Sequence, residues 1–253
     1  MNTDNMSILG LTIDFGPYGW LEGFDFGWTP NTTDIQNKRY RYGNQPNIGL
    51  WNLYQLANAL YPIIEEVEPL NTILEEYKTA FEKQSLQMMK SKLGLSTSDE
   101  EDLKLIQNLE DNLQLVETDM TIFFRKLSDF TDEKSGLQLI KEAFYDFENI
   151  SEEVKSRWNV WFKKYDERLQ IERISSEERK EKMDLVNPKY VLRNYMSQLA
   201  IDEADKGNYT LIDELFQLLK NPYSEQPENE KWFAKRPEWA RNKVGCSMLS
   251  CSS

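Results

Sequence analysis

Leu50-Trp51-Asn52-Leu53-Tyr54-Gln55-Leu56-Ala57-Asn58-Ala59-Leu60 decides how this sequence folds. Leu50, Leu53, Leu56, Ala57 and Leu60 recur at steps of three and four, which places them on one face of an α-helix. Pro62 follows, and because proline lacks an N–H and crowds the carbonyl one turn back, the helix is expected to end or kink there. The same period returns downstream. Leu70 to Met89 carries Leu70, Ile73, Leu74, Tyr77 and Phe81 on one face. Ser98-Asp99-Glu100-Glu101 has the form of a capping box and predicts a helix that turns Leu103, Ile106, Leu109 and Leu113 inward. Further helices are expected near 119–129, 135–148, 151–170, 188–205 and 210–220. Ile171 to Lys182 reads as a mixed-charge extension into solvent, and the charges between 151 and 183 as a solvated helix face.

Upstream of the Leu50 stripe the texture changes. Seven of the eleven glycines (Gly10, Gly16, Gly19, Gly23, Gly27, Gly43, Gly49) and Pro17, Pro30 and Pro46 fall in the first 50 residues, a composition of turns and short strands. Ile8-Leu9-Gly10-Leu11-Thr12-Ile13 is a brief apolar run suited to a hairpin or a buried strand. Past Asn221-Pro222 the pattern is irregular, and Trp232 and Trp239 suggest a tail that docks through aromatics. The fold class is therefore mainly α, with a short β/loop segment at the start.

Composition narrows the chemistry. The 253 residues include 43 acidic and 30 basic side chains, a net charge of −13, and no histidine. Histidine bases, Ser-His-Asp or Cys-His pairs and histidine-bound metals are excluded within this stretch, leaving carboxylates, amides and hydroxyls. Cys246 and Cys251 are the two cysteines, too few for a disulfide scaffold or a four-ligand zinc site. No run of about 18 apolar residues predicts a membrane span. The acidic balance disfavours nucleic acid, whose phosphates it would repel.

Asp4-Asn5 and Asp14-Phe15-Gly16 bracket the apolar run, so three oxygen-bearing side chains stand at the two ends of one hairpin-sized unit. Mg2+ prefers such hard oxygen ligands together with nucleotide phosphates. Asn5 with Asp14 would then clamp the metal, and Asp4 would act on a substrate hydroxyl. Protein kinases divide the same roles among a catalytic-loop Asp, a following Asn and the Asp of Asp-Phe-Gly. Here Asp4 and Asn5 are adjacent and no Ala-Pro-Glu follows, so an ordinary protein kinase fits poorly. Asp and Asn beside glycines also serve as turn residues that hydrogen-bond their own backbone, and spacing alone leaves both readings open.

The whole string from Met1 to Gly19 closely resembles the active-site segment of the selenoprotein O family, the kinase-like protein adenylyltransferases. The resemblance continues in Pro30-Asn31-Thr32-Thr33-Asp34, Arg39-Tyr40-Arg41-Tyr42, Asn44-Gln45-Pro46 and Gly49-Leu50-Trp51-Asn52-Leu53. It returns at Asn187-Pro188-Lys189-Tyr190-Val191-Leu192-Arg193-Asn194-Tyr195 and at Cys251-Ser252-Ser253, and is thin over roughly 70–185. It implies that ATP is bound and that AMP passes to Ser, Thr or Tyr hydroxyls of protein substrates. Carried over by position, Asp4 resembles the proton acceptor, Asn5 and Asp14 the Mg2+ ligands, and Asp14 also a nucleotide contact.

The resemblance further implies the C-terminal lobe of a protein-kinase-like fold. Residues 1–50 would form the catalytic-loop, metal-binding and activation segment, 51–220 the helical lobe and 221–253 an irregular tail. The family's upstream lobe, with its glycine-rich loop, lysine and partner glutamate, is absent from this stretch, so weak ATP binding by this polypeptide alone is expected. A non-catalytic helical interaction or regulatory module is the alternative. Relatives often carry an activation-segment cysteine where this chain has Thr29-Pro30-Asn31, and some hold selenocysteine at the position of Cys251, which makes Cys251 a redox candidate. A Cys246–Cys251 bridge is a further option. Trp20, Trp28 and the aromatics from Tyr40 to Trp51 are expected to pack the activation segment, and eukaryotic relatives suggest a mitochondrial or other organellar location.

Overall fold

The computed structural model describes residues 1–12, 19–30, 34, 38–132, 135–243 and 245–246. The chain is mainly helical, as its periodicity requires, and among the described residues extended pairing is limited to two isolated antiparallel bridges, Met6 with Thr12 and Thr118 with Phe144. It divides into two compact units. One comprises 1–20, 25–86 and 242–253, the other 21–24 and 87–241.

The first unit opens with a 3-10 turn, Thr3–Asn5, followed by a tight hairpin. Ser7 N–H donates to the Leu11 carbonyl (2.8 Å) and Gly10 N–H to that of Ser7 (3.0 Å). Gly10 has φ +88°, a left-handed conformation that glycine adopts without a Cβ penalty. The hairpin expected of this run is present, but its described apolar residues, Ile8, Leu9 and Leu11, are not buried: Ile8 and Leu9 are more than four-fifths exposed.

Helix α1, Gln45–Ile64, begins with Pro46 in its first turn and is capped by Glu65 in the left-handed region, whose N–H reaches the Tyr61 carbonyl at 2.8 Å. Pro62 does not end it. Proline removes one N–H near the C-terminus, and the helix runs two residues further. Helix α2, Glu68–Lys92, holds α1 through Gly49: a Cβ there would stand 2.6 Å from the Tyr77 hydroxyl, which donates to the Pro46 carbonyl at 3.0 Å. The division between units falls within α2, after Leu86.

The second unit is built around α6, Glu152–Leu169. Trp158, Trp161, Phe162 and Tyr165, at the helical steps of three and four, are all essentially inaccessible to solvent, and Phe123, Phe130 and Phe144 pack edge-on or stacked against them. Trp161 Nε1 donates to the Leu105 carbonyl (3.0 Å) and the Tyr165 hydroxyl to that of Leu93 (2.7 Å), while the equally buried Trp158 Nε1 finds no hydrogen-bond partner among the described residues. Around α6 lie α3 (Asp102–Leu113), α4 (Met120–Leu127), the four-residue α5 (Gly136–Leu139), α7 (Ser176–Asp184), α8 (Asn194–Ala204) and α9 (Thr210–Lys220). Asp119, Ser151 and Ser175 cap α4, α6 and α7, each accepting a bond from the N–H three residues on. The strap 21–24 is sewn in by Met120 N–H to the Glu22 carbonyl (2.8 Å) and Arg236 Nη1 to Glu22 Oε2 (2.8 Å).

Several sequence expectations give way to longer-range contacts. Ser98 to Glu101 do not form the reciprocal capping box; α3 starts at Asp102, whose Oδ2 accepts from Asp99 N–H (3.0 Å), and this phase buries Leu105 while leaving Leu103 55% exposed. The predicted helix over 135–148 breaks after Leu139, because Phe144 and its neighbours pair with 117–119 through Asp119 N–H to Ala143 O (2.7 Å) and Tyr145 N–H to Glu117 O (3.1 Å). Residues 188–193 are not helical: the Lys189 and Tyr190 N–H groups both donate to the Pro222 carbonyl at 2.8 and 3.0 Å. The chain also leaves the helix after Leu169 and restarts as α7, which buries Arg179 and Met183. In the tail, Trp232 is buried and donates to Glu214 Oε1 (2.8 Å), while Trp239, half exposed, meets Tyr195 edge-on.

Candidate active site

The first unit places Asp4 and Asn5 together in the 3-10 turn, and a set of polar side chains explains why the turn holds. Asn2 is its hub. Its N–H donates to Asn5 Oδ1 (2.7 Å), its Nδ2 to the Tyr40 hydroxyl (2.7 Å), and its Oδ1 accepts from Arg39 Nε (2.8 Å). Asn52, buried on α1, donates from Nδ2 to the Asn2 carbonyl (3.0 Å) and to Met6 Sδ (3.2 Å), and its Oδ1 accepts from Arg39 Nη2 at 3.1 Å. The Arg39 guanidinium also lies 4.5 Å from the centre of the Trp51 ring, a cation–π contact.

The loop bearing Arg39 and Tyr40 is itself tied down. Asp34 Oδ2 accepts from Tyr40 N–H (2.7 Å), and Gln45 Nε2 donates to the Arg39 and Arg41 carbonyls at 2.9 and 2.8 Å. Thus residues from four separate stretches of sequence, 1–6, 34, 39–45 and 52, converge on one turn. The result is a carboxylate, Asp4, that is exposed on a backbone fixed from behind, beside an amide, Asn5, that is half-buried. A cleft of about 640 Å3 runs from this turn along the hairpin and α1, lined among others by Thr3, Met6, Leu11, Asn52 and Leu56.

Asp14, the remaining carboxylate of the predicted set, lies outside the described residues, as does Cys251. Among the described residues no cluster of three or more Asp, Glu, Cys or His side chains could hold a metal. Asp4 and Asn5 nonetheless offer donors of the right chemistry for Mg2+, a carboxylate and an amide oxygen. Asn5 Oδ1 accepts the Asn2 N–H, and since an amide oxygen carries two lone pairs this bond does not by itself preclude a cation.

Sequence reasoning missed Asn2, Arg39 and Asn52 as the supports of this turn. A signal existed for Asn52, an amide in the middle of the apolar run from Leu50 to Leu60. The aromatics are divided in role: the Tyr40 hydroxyl is a network member, whereas Trp51 is 46% exposed under Arg39. Arg193 forms a buried ion pair of the second unit, in which it donates from Nη2 to Asp119 Oδ1 (3.0 Å) and from Nη1 to Oδ2.

Comparison with known proteins gives the family. Residues 1–220 match the family described as Protein adenylyltransferase SelO, and the chain belongs to it. It is 60% identical over its whole length to a protein of Flavobacterium johnsoniae named "Protein nucleotidyltransferase YdiU", of which it covers 49%. Proteins of the same name from Aromatoleum aromaticum and Rhodopirellula baltica are each 50% identical over the whole chain, with 48% and 49% of their lengths covered. The chain therefore spans about half the length of these relatives.

Proposed function

We propose that this chain supplies the catalytic-loop and helical portion of a Mg2+-dependent protein adenylyltransferase, the C-terminal lobe of a kinase-like fold. What supports this reading, beyond family membership, is the Asn2-centred network that presents Asp4 to solvent on a fixed turn directly beside Asn5. In the proposed reaction a Ser, Thr or Tyr hydroxyl of a protein substrate attacks the α-phosphorus of ATP. The new O–P bond forms as the bond to pyrophosphate breaks, and the hydroxyl proton passes to the Asp4 carboxylate. Asn5 and Asp14 would hold Mg2+, which when bound offsets charge on the phosphates and on departing pyrophosphate. The network around Asn2 contributes orientation: a carboxylate misplaced by about 1 Å loses a large part of its effect. General-base help of this kind is worth about 10²–10⁴-fold.

Label transfer tests this directly. ATP labelled at the α-phosphate should mark protein substrates and ATP labelled at the γ-phosphate should not, using the protein at the length of its relatives. Asp14→Ala should abolish the transfer, and Asp4→Asn should slow turnover by about 10²-fold or more. Full activity in Asp14→Ala would remove the metal assignment. A second reading, a non-catalytic interaction module, is favoured by one observation, the large apolar surface that α1 leaves uncovered.

A further inference from the structure

Residues 21–24 are set apart by their neighbours: the chain on either side of them, 1–20 and 25–86, belongs to the first unit, while they themselves belong to the second. Phe24 is buried, and a Cβ on Gly23 would stand 3.1 Å from the Thr118 carbonyl, so this strap lies close against the residues that precede α4. The Glu22 carbonyl accepts the Met120 N–H at 2.8 Å. Met120 is the first residue of α4, where a backbone N–H has no acceptor within the helix, so this bond exists only while the strap is docked. The Glu22 side chain is 9% exposed, and Arg236 Nη1 reaches its Oε2 at 2.8 Å. That pair is incompletely satisfied: Glu22 Oε1 and Arg236 Nε are both buried without a hydrogen-bond partner among the described residues.

The charges facing Glu22 are divided. Arg236 of the tail and Arg193, which precedes α8, favour its carboxylate; Asp119, the cap of α4, and Glu117 oppose it. The arginines also serve those acids, Arg193 pairing with Asp119 and Arg236 Nη2 with Glu117 Oε1 (2.6 Å). Burial pushes the Glu22 carboxyl above its ordinary value, and the two arginines offset this only in part. A buried carboxylate with one oxygen unpartnered costs free energy that a neutral side chain of the same shape does not. The tail keeps its seat without Glu22, because Arg236 N–H donates to the Tyr145 hydroxyl (3.2 Å), Lys235 Nζ to the Phe144 carbonyl and Arg241 Nη2 to Glu117 Oε2 (2.8 Å). We propose that the strap is a releasable clasp: the Glu22 carboxylate biases it toward leaving, and Arg236 is the catch that keeps it docked. The strap lies eight positions after Asp14, within the stretch assigned above to the catalytic loop and activation segment, so its release would regulate adenylyl transfer. That bearing rests on the proposed function, whereas docking and release require neither ATP nor metal and are tested by themselves.

Amide hydrogen exchange, read residue by residue in the protein at the length of its relatives and without nucleotide, provides the test. Met120 reports docking of the strap. Ile122 and Phe123, whose N–H groups donate to Asp119 Oδ1 (2.9 Å) and to the Asp119 carbonyl (3.0 Å), report the integrity of α4. Arg236→Met removes the catch and leaves the Glu22 charge buried. Protection of Met120 should then fall at least ~10-fold, a modest share of what an uncompensated buried charge brings, because the carboxyl can take up a proton instead. Glu22→Gln keeps an oxygen for Arg236 and removes the charge, so protection of Met120 should rise. In the double variant Glu22→Gln/Arg236→Met the strap buries no charge, and protection should return to within ~3-fold of the unaltered protein. Ile122 and Phe123 should be unchanged throughout. Unchanged protection of Met120 in Arg236→Met would overturn the proposal, as would a fall in Glu22→Gln or a double variant no better protected than Arg236→Met alone. Loss at Phe123 together with Met120 would also overturn it, since α4 and not the strap would then be opening.

Discussion

The two units of this protein distribute polarity in opposite ways. In the second, α6 carries many charges yet buries four aromatic side chains in series, and even its charged groups are drawn inward: Arg168 pairs with Asp102 (2.6 Å) and Glu172 (2.9 Å), and Lys90 reaches Asp102 at 3.3 Å. In the first, the uncharged α1 turns an asparagine inward and leaves Leu60, Tyr61 and Ile63 in solvent. Composition alone would have assigned these helices the other way round. What decides is which surfaces are available to pack against: α6 has the aromatic rings of Phe123, Phe130 and Phe144 around it, whereas the C-terminal half of α1 is exposed.

The contrast can be broken most forcefully in the second unit. Trp161→Ala should cost about 3–5 kcal/mol, because it empties the centre of the aromatic series. Arg168→Ala should cost a similar amount, about 3–5 kcal/mol, since it leaves the Glu172 carboxylate buried without its cation and Asp102 with Lys90 alone. Urea unfolding followed by tryptophan fluorescence measures both. Gly136→Ala comes next: its Cβ would collide with the Phe162 ring, an overpacking expected to cost roughly 1–3 kcal/mol.

Acid acts on the same cluster. Burial pushes the Glu172 carboxyl up, but hydrogen bonds from Ser96 and Thr97 outweigh it and bring its pKa to about 2, well below the ordinary 4.5. The folded state thus binds this proton less readily than the unfolded chain. Its stabilisation is complete above the unfolded value and is lost as the pH falls from about 4.5 toward 2. Urea midpoints measured across that window should decline, and in Glu172→Gln the decline should be shallower from a lower starting stability. An unchanged slope in that variant would place the acid sensitivity elsewhere. The smallest effect is expected in α1: Leu60→Lys and Ile63→Lys should change the stability of this chain alone by less than about 0.5 kcal/mol, as exposed positions do. A loss as large as that of Trp161→Ala would mean that α1 is already packed.

The sequence made the helical body legible wherever a single face carried the pattern, as in α1, α2, α6 and α9. It failed where a partner far along the chain takes over. Arg168 and Glu172 read as solvent-facing because their partners, Asp102 and the pair Ser96 and Thr97, lie 66 to 76 positions upstream. Residues 188–193 read as helix because the Pro222 carbonyl that captures their N–H groups is invisible to a local period. In the candidate site, the adjacency of Asp4 and Asn5 was legible, and the structure places both in one 3-10 turn. Their supports were not, because Asn2, Arg39 and Asn52 have no spacing in common and meet only once the loop at 38–45 folds back over the N-terminal turn.

That convergence is the structural basis of the proposed activity, and one comparison tests it most directly. With the protein at its relatives' full length, transfer of α-phosphate label from ATP to protein is measured for the unaltered sequence and for Asn52→Leu. The substitution leaves Asp4, Asn5 and Asp14 in place but removes the side chain that holds the Asn2 carbonyl and Arg39. The expected result is α-label transfer by the unaltered protein and turnover slowed by about 10-fold or more in Asn52→Leu, the scale of loss that misorientation of a catalytic group brings, with unfolding midpoints of the second unit unchanged. Label arriving from the γ-phosphate, or equal turnover in the two proteins, would contradict it.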